Sequence, residues 1–303
     1  MELILDTADA KQVSELSDML TITGVTTNPT IITRSGRTPE EVADAMLSVL
    51  SDDQLFFMQT VATDFDGIMA DARRICSLRP KNMYVKIPVT HDGLRAIKAA
   101  KAEGLGVLAT AIYSADEAFL AAMNGADYLA PYVNRMENYG DGITQVEDLL
   151  EMLEMNDLPT KVVAASFKNA NQVHRLIVAG IQAVTVPPEV VRSMVDHPGT
   201  RIAVDEFSAA WREAYGGLLP AAHLDAVEIG PHRADLVRRT TAGLPVTVQT
   251  QAAGSGKNAS SGSKTGASQA QGISTGYQEY LNTQRGQAPR IKDKTSESPA
   301  RDT

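Results

Sequence analysis

Cysteine is almost missing from this chain: Cys76 stands alone among 303 residues. One thiol cannot close an internal disulfide, and no ligand cluster surrounds it, so neither a disulfide scaffold nor a zinc site is expected. Cys76 lies beside Arg73 and Arg74 in an amphipathic stretch and reads as an ordinary helix residue. Long apolar runs are missing too. None reaches the roughly eighteen residues of a membrane helix, and the strand-like opening Met1-Glu2-Leu3-Ile4-Leu5 has no basic leader. A cytoplasmic protein with no membrane partner is therefore expected. Basic charge is also short, with 28 Lys and Arg against 37 Asp and Glu and a net charge of -9. That balance argues against a nucleic-acid partner, and an anionic substrate would need a local cationic pocket working against the global field. His91, His174 and His197 stand singly, with no His/Asp/Glu cluster at ligand spacing; no metal or cofactor is expected.

What is present is alternation. Short β-like runs at residues 2-7, 24-29, 55-62, 83-89, 107-113, 128-133, 161-167 and 183-187 are separated by amphipathic helical stretches. Those helices are predicted over Ala10 to Met19, Pro39 to Leu50, Ile68 to Leu78, Asp92 to Glu103, Ala115 to Asn124, Ile143 to Asn156 and Asn169 to Ala179. Strict βα order predicts a parallel sheet covered on both faces. Closing such units, packed into about 190 residues, gives an α/β protein of the (β/α)8 TIM-barrel class, a compact one. An open doubly wound sheet is the runner-up, but no Gly-rich dinucleotide loop follows the first strand. Pro187-Pro188-Glu189 reads as a helix start, and a last amphipathic helix, Ile202 to Tyr215, carries Phe207, Trp211 and Tyr215 at successive four-residue steps. From about Leu218 the composition changes: a poorly periodic stretch to Thr250 carries the basic Arg233 to Arg239 segment, and Gln251 to Gln271 is dominated by Gly, Ser, Ala, Gln, Asn and Lys, which cannot bury enough apolar surface to offset chain entropy. Residues 1-217 are therefore expected to be the barrel domain and 218-303 a largely disordered extension, whose His223 and His232 have no catalytic role.

One strand holds a chemical anomaly. Met83-Tyr84-Val85-Lys86-Ile87-Pro88-Val89 is apolar and β-branched around a single lysine, and a buried strand is a costly place for an ammonium group. Lys86 either snorkels to water or has its pKa drawn down from about 10.4, leaving a free amine able to attack a carbonyl. Barrels of this class carry function at the carboxyl ends of their strands, and polar residues gather at those ends here: Asp6-Thr7, Thr26-Thr27-Asn28, Gln59-Thr60, Lys86, Thr110, Tyr132 with Asn134-Arg135, and Ser166 with Lys168. Each alone has a plain structural reading, such as a helix cap for Asp6, a turn for Asn28-Pro29 or a rim aromatic for Tyr132. Together, at one end of one barrel, they read as a site.

The motifs Leu5-Asp6-Thr7, Gly24-Val25-Thr26-Thr27-Asn28-Pro29, Val85-Lys86-Ile87-Pro88-Val89-Thr90, Ala130-Pro131-Tyr132-Val133-Asn134-Arg135 and Ala164-Ala165-Ser166-Phe167-Lys168 resemble the small transaldolase family, and its fructose-6-phosphate aldolase branch above all. The resemblance spans residues 1-217. It implies a class I aldolase in which Lys86 forms a Schiff base, Asp6, Thr27 and Asn28 hold the substrate, Gln59, Thr110 and Tyr132 surround a proton-transfer water, and Arg135 with Ser166 binds phosphate. The substrates it implies are sugar phosphates and dihydroxyacetone-type ketones. It also implies a homo-oligomer built from rings, a decamer, with the Ile202 to Tyr215 helix packing on a neighbour. Transaldolases resembled more distantly place glutamate, phenylalanine and asparagine where this chain has Gln59, Tyr132 and Leu108. A transaldolase is therefore the alternative reading, and a non-catalytic sugar-phosphate-binding barrel is a second.

Overall fold

The computed structural model describes residues 1–217 and Pro220. Its eight strands pair in sequence order, every pair parallel, into a closed barrel. They are β1 (Glu2–Asp6), β2 (Gly24–Thr26), β3 (Leu55–Gln59), β4 (Met83–Pro88), β5 (Gly106–Ile112), β6 (Tyr128–Pro131), β7 (Lys161–Ala164) and β8 (Ala183–Val186). Closure comes from β1 against β8, where Leu3 stands opposite Val184 and Leu5 opposite Val186. The expected TIM barrel is thus the observed fold, and the open sheet is excluded. Most strands stop one to three residues short of the expected ends, because the polar residues there have already left the ladder.

The helices are α1 (Ala10–Met19), α2 (Pro29–Ser35), α3 (Pro39–Val49), α4 (Phe65–Cys76), α5 (His91–Ala102), α6 (Ala115–Met123), α7 (Val133–Met136), α8 (Gly142–Met155), α9 (Ala170–Val178), α10 (Pro188–Val195) and α11 (Pro198–Tyr215). Side-chain caps start many of them. Asp9, Asn28, Asp64, Thr90, Ser114, Asp141 and Asn169 each accept a backbone N–H of the first turn, and Thr38 with Glu41 closes a reciprocal capping box on α3. Two helices were not expected from the sequence, α2 and the four-residue α7. Both are too short to show a helical period, and both carry side chains that reach the site.

Alternation along each strand divides the core into two layers. Outward-facing Leu5, Val25, Phe56, Val85, Ile87, Val107, Leu129, Val162 and Val184 pack beneath the helices. Inward-facing Ile4, Leu55, Phe57, Leu108, Tyr128, Ala130, Val163 and Ala183 fill the barrel, with Tyr84 and Tyr132 against them. Phe57 stacks on Tyr84 at 5.0 Å between ring centroids, and Tyr128 meets each of them edge-on at 5.3 Å. These three rings plug the barrel below its functional end. His91, His174 and His197 are exposed, and His197 caps α11 by accepting from Gly199 N. The barrel belongs to a compact unit of Met1–His223. Apart from Pro220, the expected extension at 218-303, with His223 and His232, lies outside the described residues.

Candidate active site

The inward-facing positions change character toward the carboxyl ends of the strands. Two residues beyond apolar Ile4, Gly24, Phe57, Tyr84, Leu108, Ala130 and Ala183 come Asp6, Thr26, Gln59, Lys86, Thr110, Tyr132 and Thr185. With a side-chain period of two, this places a polar ring directly above the apolar plug. A cavity of about 490 Å³ opens on that ring. Asp6, Asn28, Gln59, Lys86, Tyr132, Arg135, Ser166 and Lys168 line it, all of them singled out in the sequence. Thr27 and Thr110 stand behind the lining. Thr27 is one residue out of phase with the inward series, and its hydroxyl donates to Phe57 O at 3.2 Å.

Lys86 is 2 % exposed. Burial draws its pKa down, and the Asp6 carboxylate opposes this only in part. Burial likewise pushes the Asp6 carboxyl above the usual carboxylate range, against the opposing pull of Lys86 and a hydrogen bond from Thr26. That bond is held in a chain: Thr26 Oγ1 donates to Asp6 Oδ1 at 2.7 Å and lies 2.6 Å from Thr185 Oγ1. A hydroxyl has one proton to give, so Thr185 must donate to Thr26, and the relay fixes the Asp6 rotamer.

Across the cavity, Thr110 Oγ1 donates to the Tyr132 phenol oxygen at 3.2 Å. Burial raises the phenol above its usual value near 10, and the Thr110 bond pulls the other way. The phenol therefore stays protonated at neutral pH, and its own O–H is left to point into the cavity. Gln59 Oε1 is buried with no hydrogen-bond partner in the protein, an acceptor that the fold leaves for a small polar group. Arg135 stacks its guanidinium 4.8 Å from the Tyr132 ring centre and donates to the Tyr113 hydroxyl at 3.4 Å. Ser166 adopts φ 66° and Ala111 φ 58°, left-handed conformations that cost a side-chain-bearing residue about 1–2 kcal/mol each. Both line the cavity, and Ala111 falls inside the register shift between β5 and β6.

A sequence model of transaldolase/fructose-6-phosphate aldolase matches residues 3–218. The chain belongs to that family. This transaldolase/fructose-6-phosphate aldolase family member is thus an enzyme of aldolase or transaldolase type on a TIM barrel. Among solved structures, one described as a native KDPGal structure is 17% identical, with a TM-score of 0.42 over 60% of this chain and 80% of that one. A cube-shaped, highly porous protein cage, designed by fusing symmetric oligomeric domains, is 15% identical, with a TM-score of 0.44 over 81% and 86%. The assignment rests on the family match.

The cavity of this aldolase-family barrel also holds residues that the sequence reading passed over. Behind the lining, Thr185 completes the anchor of Asp6 through Thr26, and it was legible from the inward-facing period. Gln12, Arg34, Tyr113 and Glu189 line the walls. Arg34 arrives on α2, a helix the sequence did not show, and Glu189 on the first turn of α10, whose start was read from the sequence but whose place at the cavity was not.

Proposed function

We propose that this enzyme is a class I aldolase that cleaves and forms fructose 6-phosphate from dihydroxyacetone and glyceraldehyde 3-phosphate through a Schiff base on Lys86. The observation that carries the reading is Lys86 itself: an amine sealed in the barrel, its pKa drawn down by burial, facing a cavity into which the other polar side chains converge. Burial favours the neutral amine, which is the form that attacks a ketone carbon.

In this reading the Lys86 nitrogen adds to C2 of the ketose, and water leaves to give an iminium. Asp6, a stronger base than a solvated carboxylate because of its burial, takes the C4 hydroxyl proton. The C3–C4 bond then breaks and its electrons move into the iminium, leaving an enamine on Lys86 as the aldehyde departs. Tyr132, protonated and fixed by Thr110, supplies the proton to C3 through a water held on the unpartnered Gln59 Oε1. Water then hydrolyses the iminium, freeing dihydroxyacetone and the amine, and the proton held by Asp6 passes back through the site water to the Tyr132 phenolate, which closes the cycle. Asn28 holds a substrate hydroxyl, although its side chain also accepts from Ile31 N, and Thr27 supports that wall from behind. Arg135, whose planar fork suits phosphate oxygens, and Ser166 hold the phosphate at the mouth. We extend the proposal to a homo-oligomer, a decamer by resemblance. No residue of α11 is buried in this chain, and Ile202 and Phe207 are 59% and 71% exposed along it.

Borohydride reduction in the presence of dihydroxyacetone tests the reading. The expected result is one three-carbon adduct that maps to Lys86. An adduct on Lys168, or none in a folded protein that still binds fructose 6-phosphate, overturns it; the second outcome supports a binding protein instead. Fructose 6-phosphate supplied without an acceptor aldehyde separates the remaining pair: sustained release of both products supports the aldolase, and turnover only with erythrose 4-phosphate supports the transaldolase.

A further inference from the structure

Gln172 does not line the cavity, yet it is one of the few buried polar side chains among the described residues, at 5% exposure. It sits in the first turn of α9 and its carboxamide makes three hydrogen bonds. Oε1 accepts from Lys168 N at 2.8 Å, and Nε2 donates to Asn134 Oδ1 at 3.1 Å and to Glu137 Oε2 at 2.9 Å. Both N–H groups and the acceptor are thereby engaged. The partners belong to two separate pieces of chain. Lys168 closes the Ser166-Phe167-Lys168 segment after β7, whereas Asn134 and Glu137 flank Arg135 on α7.

Neither piece belongs to a strand or to a long helix. α7 is a single turn with no side-chain cap, and Ser166 holds a left-handed backbone. A backbone bond from Val133 N to Ala165 O, 3.0 Å, joins the two pieces at their roots. Gln172 ties them again on both sides of Arg135 and beyond Ser166, so the segments that carry the anion-binding groups are joined by two clamps. A buried amide that is fully hydrogen-bonded holds its neighbours rigidly, because breaking any one bond strands a polar group.

We propose that Gln172 is a positioning residue that keeps Arg135 in register with Ser166 and Lys168, and so sets the grip on the phosphate of the aldehyde half of the substrate. The proposal rests on the phosphate-binding reading given above. The bond from Lys168 N resembles half of a capping box, so helix capping is the plainer role, and one substitution separates the two. Gln172→Glu keeps the acceptor for Lys168 N. Once ionised it cannot donate to Asn134 or Glu137, and it sets a second carboxylate against Glu137.

The experiment measures kcat/KM for D-glyceraldehyde 3-phosphate and for D-glyceraldehyde, with dihydroxyacetone as donor, or with fructose 6-phosphate as donor should the enzyme require one. Gln172→Glu is expected to lower the preference for the phosphorylated aldehyde about tenfold, through its KM, as a small misplacement of a binding group does. Kinetics with D-glyceraldehyde should stay within about twofold. Asn134→Ala, which breaks the clamp from the α7 side and leaves the α9 cap intact, should lower the preference in the same direction. An unchanged preference in both folded variants, or equal losses with both aldehydes, overturns the proposal. Arg135→Met is the check on the underlying reading. If the wild type has no phosphate preference, or Arg135→Met retains it, the phosphate site itself is misplaced; if Arg135→Met loses it and the other two variants do not, only the role of Gln172 fails.

Discussion

Lys86→Met should make this fold more stable. For Lys86 and for Asp6 alike, loss of solvation is the largest influence on the pKa, and the attraction between the two comes second. The folded chain therefore carries two charge-bearing groups whose burial is not repaid by their proximity. Among the described residues, no ion pair or hydrogen bond to Lys86 Nζ is formed. Exchanging buried charge for apolar groups of similar volume typically gains about 1–4 kcal/mol. Methionine matches most of the lysine stem, but it leaves Asp6 with less cationic company, so we expect about 1–2 kcal/mol. In a domain of this size that is roughly 3–6 °C in thermal midpoint. The pH dependence has a definite sign. A lysine whose folded pKa is depressed costs stability in full below that pKa. The cost fades as pH rises toward about 10.4, where the unfolded chain also gives up its proton. The advantage of Lys86→Met should therefore be largest at neutral pH and shrink towards pH ~10.4. Paired thermal melts of the two proteins at those two pH values decide it. A folded variant that is less stable than wild type at neutral pH, or whose advantage grows with pH, would mean that Lys86 is solvated or paired, and the case for a strained nucleophile would collapse.

Tyr132→Phe removes the proposed proton donor and should lower aldolase kcat by about 10²–10⁴ with little change in unfolding midpoint; an unimpaired rate would remove the phenol from the mechanism and favour the transaldolase. Gly93→Ala should be strongly destabilising, by about 2 kcal/mol or more, because a Cβ there would overlap Pro88 O at the end of β4; urea unfolding checks it, and wild-type stability would mean that α5 can shift without disturbing the Lys86 strand. A chain ending after Gly217 should keep kcat within a few-fold, since the eight strands are complete by Val186. Loss of activity with circular dichroism unchanged would make the remaining residues part of the catalytic unit.

The barrel was legible because its signals are local and repeated. Each strand is a short, largely apolar run, and many of the helices begin on a residue that can cap, such as Asp9 or Thr90. Cavity residues at strand ends, including Asp6, Gln59, Lys86 and Tyr132, followed from that periodicity. Those on short helices did not. Arg34 needs the roughly two turns of α2, started by the Asn28 cap and ended at Gly36, to reach the rim. Thr27 shows the limit of reading motifs without phase: it sits beside Thr26 in sequence but on the other side of the strand, where its hydroxyl meets Phe57 O.

The plug of Phe57, Tyr84 and Tyr128 governs traffic. With the barrel filled beneath Lys86, the cavity has a floor, and its door is at the carboxyl ends of the strands. In a reaction run as proposed, the three-carbon fragment is anchored on the floor while the aldehyde occupies the space between it and the door. The aldehyde must go out first, and any acceptor must come in by the same way after it has gone. Order of release, already set by the covalent bond to Lys86, is reinforced by the shape of the vessel rather than by relative affinities, and excess aldehyde in solution should slow the forward reaction by standing in the doorway.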